Sequence, residues 1–207
     1  MTSFYTPSGS GESEIVEKRS RFLGHLRPIS SEEEAKDCLS EIRKQYHDAR
    51  HNCWCYRIYD GPERFSDDGE PQGSAGMPML EVFRRENVSN FVCVVTRYFG
   101  GVLLGTGGLS RAYSAAAKEA LLAAGLTASG KWTELRFSCP YALLERCRNE
   151  LIDAGAVIND LTYGSDVAVV AQLPEFTAST VKDRLVELST GKVLPVIGET
   201  VLRTSEI

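Results

Sequence analysis

The sequence predicts an α+β chain of two domains, and three observations carry that prediction. Strand-like and helix-like periodicities alternate along its 207 residues. The text changes near residue 130, where Thr127-Ala128-Ser129-Gly130-Lys131 reads as a linker. Beyond it the order is strand, helix, strand, strand, helix, strand, the ferredoxin-like βαββαβ arrangement. The expected domains are therefore 1–129 and 130–207.

The elements follow in order. Residues 13–28 carry Ile15, Val16, Phe22, Leu23 and Leu26 in loose alternation and stop at Pro28, which predicts a strand. Ser31-Glu32-Glu33-Glu34 is a capping box. After it Ala35, Leu39, Ile42 and Tyr46 recur at spacings of three and four, so a helix is expected over 32–46. Residues 52–59 read as a strand ending at Asp60-Gly61-Pro62. Residues 61–78 hold four glycines and three prolines and read as a long loop, a feature that is usually functional or disordered. A short helix fits 76–85, a strong strand 91–99, a glycine-rich turn 100–108, and a small-residue helix from Leu109 to near Gly125. In the second domain strands are expected at 134–139, 156–163, 166–173 and 192–202, with helices at 141–153 and 178–189.

Composition narrows the function classes. The chain is 43% hydrophobic and 25% charged, which excludes a disordered polymer. No apolar run approaches a membrane span, and no basic, then apolar, leader opens the sequence, so a cytoplasmic protein with no membrane partner is expected. Six cysteines sit within apolar patterns and read as reduced, buried thiols. The net charge of −5 argues against coating nucleic acid by bulk charge. It divides as −2 over residues 1–130 and −3 beyond, so neither half is a basic module.

Two stretches can carry chemistry. From Arg97 to Tyr113 five glycines (Gly100, Gly101, Gly105, Gly107, Gly108) lie between a strand and a helix, with Arg97, Tyr98 and Arg111 beside them. Free N–H groups at a helix start favour an anion, and two guanidinium groups can hold a phosphate from the sides. The same glycines can instead serve tight strand–helix packing. The turn is not a Walker loop, since Thr106 stands where that motif needs Lys. The second stretch, Ser66-Asp67-Asp68-Gly69-Glu70, offers three carboxylates to a basic partner or a divalent cation, or to the turn's own backbone. A third segment, Asp48-Ala49-Arg50-His51-Asn52-Cys53-Trp54-Cys55, lacks the cysteine spacing of a zinc site and reads as a strand start with buried thiols. No metal and no cofactor is expected.

Residues 65–79 and 97–113, with His47-Asp48-Ala49-Arg50-His51 as a third block, resemble the signature of the IMPACT/YigZ family over about residues 10–125. Residues 131–205 look like the C-terminal domain of its bacterial branch. The resemblance implies an N-terminal α/β sandwich similar to a ribosomal small-subunit protein domain and to elongation factor G domain IV. It implies a C-terminal domain similar to a ferredoxin-like domain of the same factor. Eukaryotic members regulate translation by protein binding and restrain a stress-responsive initiation-factor kinase pathway. No counterpart of their extra N-terminal interaction domain is expected here, so that role is not carried over to this chain.

The expectation is a non-enzymatic, translation-associated binding protein. It would contact RNA, the ribosome or a translation factor through Arg50, His51, Arg97, Tyr98, Arg111 and the glycine turn. One alternative is a nucleotide- or phosphometabolite-binding enzyme in which the turn holds phosphate and Asp67, Asp68 or Glu70 binds Mg²⁺ or acts as a base. Small-molecule kinases of the same fold make that reading an analogy. The other alternative is a protein–protein adaptor docking through residues 66–70.

Overall fold

The structure is a computed structural model that describes residues 4–205. The first half of the chain holds β1 (Phe4–Pro7), β2 (Gly11–Glu17), β3 (Ser20–Pro28), α1 (Glu32–Gln45), β4 (His51–Arg57), β5 (Glu63–Ser66), α2 (Gly76–Arg85), β6 (Phe91–Tyr98) and α3 (Gly105–Ala124). It continues with β7 (Leu126–Cys139), α4 (Tyr141–Asp153), β8 (Val157–Tyr163), β9 (Val167–Pro174), α5 (Glu175–Leu188) and β10 (Val196–Ser205). The chain divides into two compact units, Phe4–Ala128 and Ser129–Ser205. No described helix is long and apolar enough to cross a membrane.

In the N-terminal unit the strands run β2-β3-β6-β4-β5, every neighbouring pair antiparallel. Central β6 explains the layering. Its alternate residues Phe91, Cys93 and Val95 pack with α2 and α3, while Val92 and Val94 pack with α1. A strand covered on both faces reads as an unbroken apolar run, which is why 91–99 is so legible. Helix α1 starts as its capping box requires: the Ser31 hydroxyl accepts the Glu34 N–H at 3.2 Å. Glu34 in turn accepts from the Ser30 N–H and hydroxyl rather than from Ser31 itself.

Helix α3 presents small residues to the sheet. A Cβ at Gly11 would fall 2.1 Å from the Ala120 carbonyl oxygen, and one at Gly24 would fall 2.9 Å from that of Ala116. Alanine on the helix and glycine on β2 and β3 therefore let backbone meet backbone, and the Ser13 hydroxyl closes the contact on the Ala116 carbonyl at 2.7 Å.

In the C-terminal unit β9 lies between β7 and β8, antiparallel to both, and β10 pairs with β7. Helices α4 and α5 cover one face through Cys147, Leu151, Val181 and Leu185, packed on Leu135, Phe137, Val169 and Leu173. The element order is the expected βαββαβ.

Several boundaries differ from the expectation. The stretch 13–28 is a hairpin, because Lys18 and Arg19 adopt positive φ (44° and 66°) and reverse the chain. The long loop contains β5, which pairs with β4 from Trp54↔Ser66 to Arg57↔Glu63. The glycine turn is shorter than 100–108, since α3 begins at Gly105. The expected linker is part of β7, a 14-residue strand: Thr and Ser tolerate extended backbone, and their polar composition reads as loop only when pairing is unseen. Short β1 has too few residues to show a period. All six cysteines are free and buried.

Candidate functional site

The register of the sheet sets the site. His51 of β4 lies opposite Arg97 of β6, which lies opposite Phe22 of β3. By the alternation of β6, Arg97 shares a face with Cys93 and Val95 and points between the sheet and α3. Its guanidinium sits 5.5 Å from the Phe22 ring centroid and 5.6 Å from that of Phe99. Such a charge needs a partner when buried, and Glu70 supplies it at 2.7 Å. The Tyr113 hydroxyl of α3 donates to the same Glu70 oxygen at 2.8 Å, and Arg97 also donates to the Ser20 hydroxyl at 3.4 Å. Arg97 is thus a bolt between loop, sheet and helix, 6% exposed, and is not displayed to a phosphate in solution.

The rest of the acidic segment is spent in the same way. One Asp67 oxygen accepts the N–H groups of Ala75 and Gly76, and the other accepts that of Gly73, so this carboxylate caps α2 from nine residues upstream. Asp68 accepts the Asn52 N–H at 2.7 Å and pairs with Arg43 at 2.9 Å. Its own N–H donates to the Ser66 hydroxyl. Asp68 and Gly69 turn the chain with φ of 43° and 87°. The His51 Nδ1 lies 2.8 Å from the Asp68 carbonyl oxygen. The loop expected to offer Ser66, Asp67, Asp68, Gly69 and Glu70 to a partner therefore directs its carboxylates inward. A turn whose carboxylates meet its own backbone and a buried arginine looks, as a sequence, like an exposed acidic cluster.

Arg97 and Tyr113, on either side of the glycine turn, meet the acidic loop at Glu70, in a closed ion pair rather than a cleft. The Cys53 thiol donates to the Asp67 carbonyl at 3.0 Å, and burial pushes it upward from its ordinary range. Burial likewise pushes the Tyr113 hydroxyl far upward, so it remains a donor to Glu70. Neither group is a ready nucleophile or base.

What stays on the surface lies at the same end of the sheet. Lys18 and Arg19 form the hairpin tip, Arg50 precedes β4, and Arg111 lies on the second turn of α3; all four are exposed and none is in an ion pair. Tyr98 donates its hydroxyl to Asp48 at 2.7 Å. Gly100 packs on the hairpin, where a Cβ would fall 2.0 Å from the Arg19 carbonyl carbon. Gly101 and Gly105 face open space, and Gly107 has only the Arg111 guanidinium near it, at 3.9 Å. Helix α3 begins with no side-chain cap, so its first N–H groups have no side-chain acceptor. Beside it Phe99, Val102 and Leu103 are exposed, Leu103 at 82%. A groove of about 260 Å³ runs between hairpin and helix, lined by Glu17, Lys18, Leu104, Gly108 and Arg111 among others. The hairpin's contribution of Lys18 and Arg19 is absent from the sequence expectation, because a single strand over 13–28 has no tip to carry them. The sequence carries no signal for this turn, since Lys18-Arg19 has none of the Gly, Asn, Asp or Pro that usually marks one.

The description "Impact N-terminal domain" matches residues 18–121, and a domain of unknown function, DUF1949, matches residues 137–192. The chain is 37% identical over 194 residues to "IMPACT family member YvyE" of Bacillus subtilis (strain 168), covering 93% of this chain and 89% of that one. It is 34% identical over 187 residues to "IMPACT family member YigZ" of Escherichia coli (strain K12), covering 85% and 88%. "Protein IMPACT" of Homo sapiens is 38% identical over 96 residues, which is 44% of this chain and 30% of that protein. A solved structure titled "Crystal structure of an hypothetical protein" superposes with a TM-score of 0.62 at 32% identity, covering 96% of this chain and 98% of its own.

Proposed function

The chain belongs to the IMPACT family, and on that premise we propose that it is a non-enzymatic, translation-associated binding protein whose N-terminal unit meets RNA, free or on a ribosomal or translation-factor partner. The observation that carries the reading is the end of the sheet: Lys18, Arg19, Arg50 and Arg111 are exposed and unpaired beside an α3 start that no side chain caps. Cations and N–H donors suit phosphate oxygens, and exposed Phe99 gives a ring on which an unstacked base can lie. Binding led by phosphate is steep in salt.

The test is RNA binding by fluorescence anisotropy across a salt series. Lys18→Ala with Arg19→Ala, and Arg111→Ala separately, weaken binding, and each lost phosphate contact lowers the salt slope by about one. Affinity and slope unchanged in both variants would overturn the reading. Ribosome cosedimentation with the same variants locates the RNA.

A further inference from the structure

Helix α1 carries a row of basic side chains outside the site described so far. It buries Ala35, Cys38, Leu39 and Ile42. On one flank Lys36, Ser40 and Lys44 recur at spacings of four, with Arg43 and, just past the helix end, His47 beside them. Together with Leu39 they line a shallow groove of about 500 Å³ whose lining holds no carboxylate. The flank faces the β5 side of the sheet, since Arg43 meets Asp68 and Glu32 meets Arg64. Most of the helix's own carboxylates are engaged elsewhere. Glu32 also accepts the Tyr56 hydroxyl, Glu34 accepts from Ser30, and Glu41 pairs with Arg27 of β3 on the opposite flank. Glu33 and Asp37 stand on the crest of the helix, outside the groove lining. Lys36, Lys44 and His47 are exposed and form no salt bridge among the described residues.

We propose that this flank of α1 takes the phosphate backbone of an RNA strand running on from the sheet end, as a second contact for the same molecule. The inference rests on the RNA reading above and adds the path and minimum length of the ligand. Two observations select the occupant. Free lysines around a groove without carboxylates suit a polyanion whose charges repeat along its length. The groove is also continuous with the sheet end. Asp48, the residue after His47, accepts the Tyr98 hydroxyl at 2.7 Å. That bond holds the end of α1 against the last residue of β6, and exposed Arg50 follows two residues later. Arg50 therefore joins the two surfaces. Lys36 and Lys44 lie about 12 Å apart along the helix. A stacked single strand covers that distance in about four nucleotides, at roughly 3.4 Å each. An RNA that fills both surfaces is therefore longer than one that fills the sheet end alone.

The test uses the full chain and compares oligoadenylates of about six and about sixteen nucleotides by fluorescence anisotropy across a salt series. Lys36→Gln with Lys44→Gln is expected to weaken the long RNA several-fold and to lower its salt slope by about 1–2, while the short RNA binds as it does to wild type. Glutamine is a good helix former and both positions are exposed, so the fold is retained. Ser40→Cys locates the strand. An aryl azide on this thiol crosslinks the long RNA, whereas one on Gln45→Cys, on the β3 side of the helix, does not. The native cysteines are all buried and do not compete. Wild-type affinity and slope of the double variant for the long RNA overturn this inference, as does equal crosslinking from the two positions. In either case the RNA reading still stands or falls on the Lys18, Arg19 and Arg111 variants. A wild-type chain that binds neither RNA overturns both. Crosslinking of Ser40→Cys to polyglutamate but not to RNA assigns the flank to an acidic protein and overturns the proposal.

Discussion

Arg97 and Glu70, 27 residues apart in sequence, meet at 2.7 Å with side chains 7% and 4% exposed. The pair fastens a loop to the middle strand of a sheet, and Tyr113 adds the helix. A buried ion pair contributes little over an apolar substitute, but its half left alone is costly. Glu70→Ala or Arg97→Ala alone is therefore expected to cost about 3–5 kcal/mol. The double variant Glu70→Ala with Arg97→Ala costs less than the two singles together. Urea unfolding of the four proteins measures the coupling, and additive losses would contradict it.

Asp67 holds three N–H groups at the start of α2. Asp67→Ala is expected to cost about 1–2 kcal/mol, the usual scale of a lost cap. The sharper signature is local: amide hydrogen exchange accelerates at Gly73, Ala75 and Gly76 before it does in β6.

His25 is buried on β3, tilted over Tyr46 at 5.0 Å, with Glu12 3.7 Å from its Nδ1 and its Nε2 unpartnered. Burial outweighs Glu12 and holds its pKa below the ordinary 6.5, and nearby Arg27 acts in the same direction. The unfolded chain thus takes up the proton first on acidification, and stability falls as pH drops from about 6.5 through the lowered folded value. His25→Gln is expected to flatten that part of the stability curve relative to wild type. Parallel pH–Tm curves for the two proteins would remove His25 as the cause.

Gly100 and Gly101 are adjacent but constrained differently. Alanine at Gly101 meets open space and pays only for a φ of 83°, about 1–2 kcal/mol. Alanine at Gly100 drives a Cβ to 2.0 Å from the Arg19 backbone and must displace the hairpin tip. Thermal melts should therefore rank Gly100→Ala below Gly101→Ala. If the tip carries RNA contacts, Gly100→Ala also weakens RNA binding while Gly101→Ala leaves it near wild type.

The candidate site was legible in its residues and illegible in their roles. Arg97, Glu70, Asp67 and the five glycines stand out in the sequence because charge and glycine are unusual beside apolar runs. An ion pair spanning 27 residues has no periodicity to betray it, so Arg97 and Glu70 read as two separate surface features. Lys18 and Arg19 show the reverse: ordinary in sequence, they become prominent because a left-handed turn lifts them to a hairpin tip beside α3.

By itself the sequence determined the α+β class, α1 and its cap, the doubly buried β6, the small-residue α3 and the βαββαβ order of the second half. Each rests on contacts between residues close in sequence or on a period that burial imposes. Only the tertiary structure decided where charge is exposed. Solvation is set by what a distant segment covers: the 66–76 loop folds over the end of β6 and takes Arg97 out of water, while nothing covers Lys18, Arg19, Arg50 or Arg111.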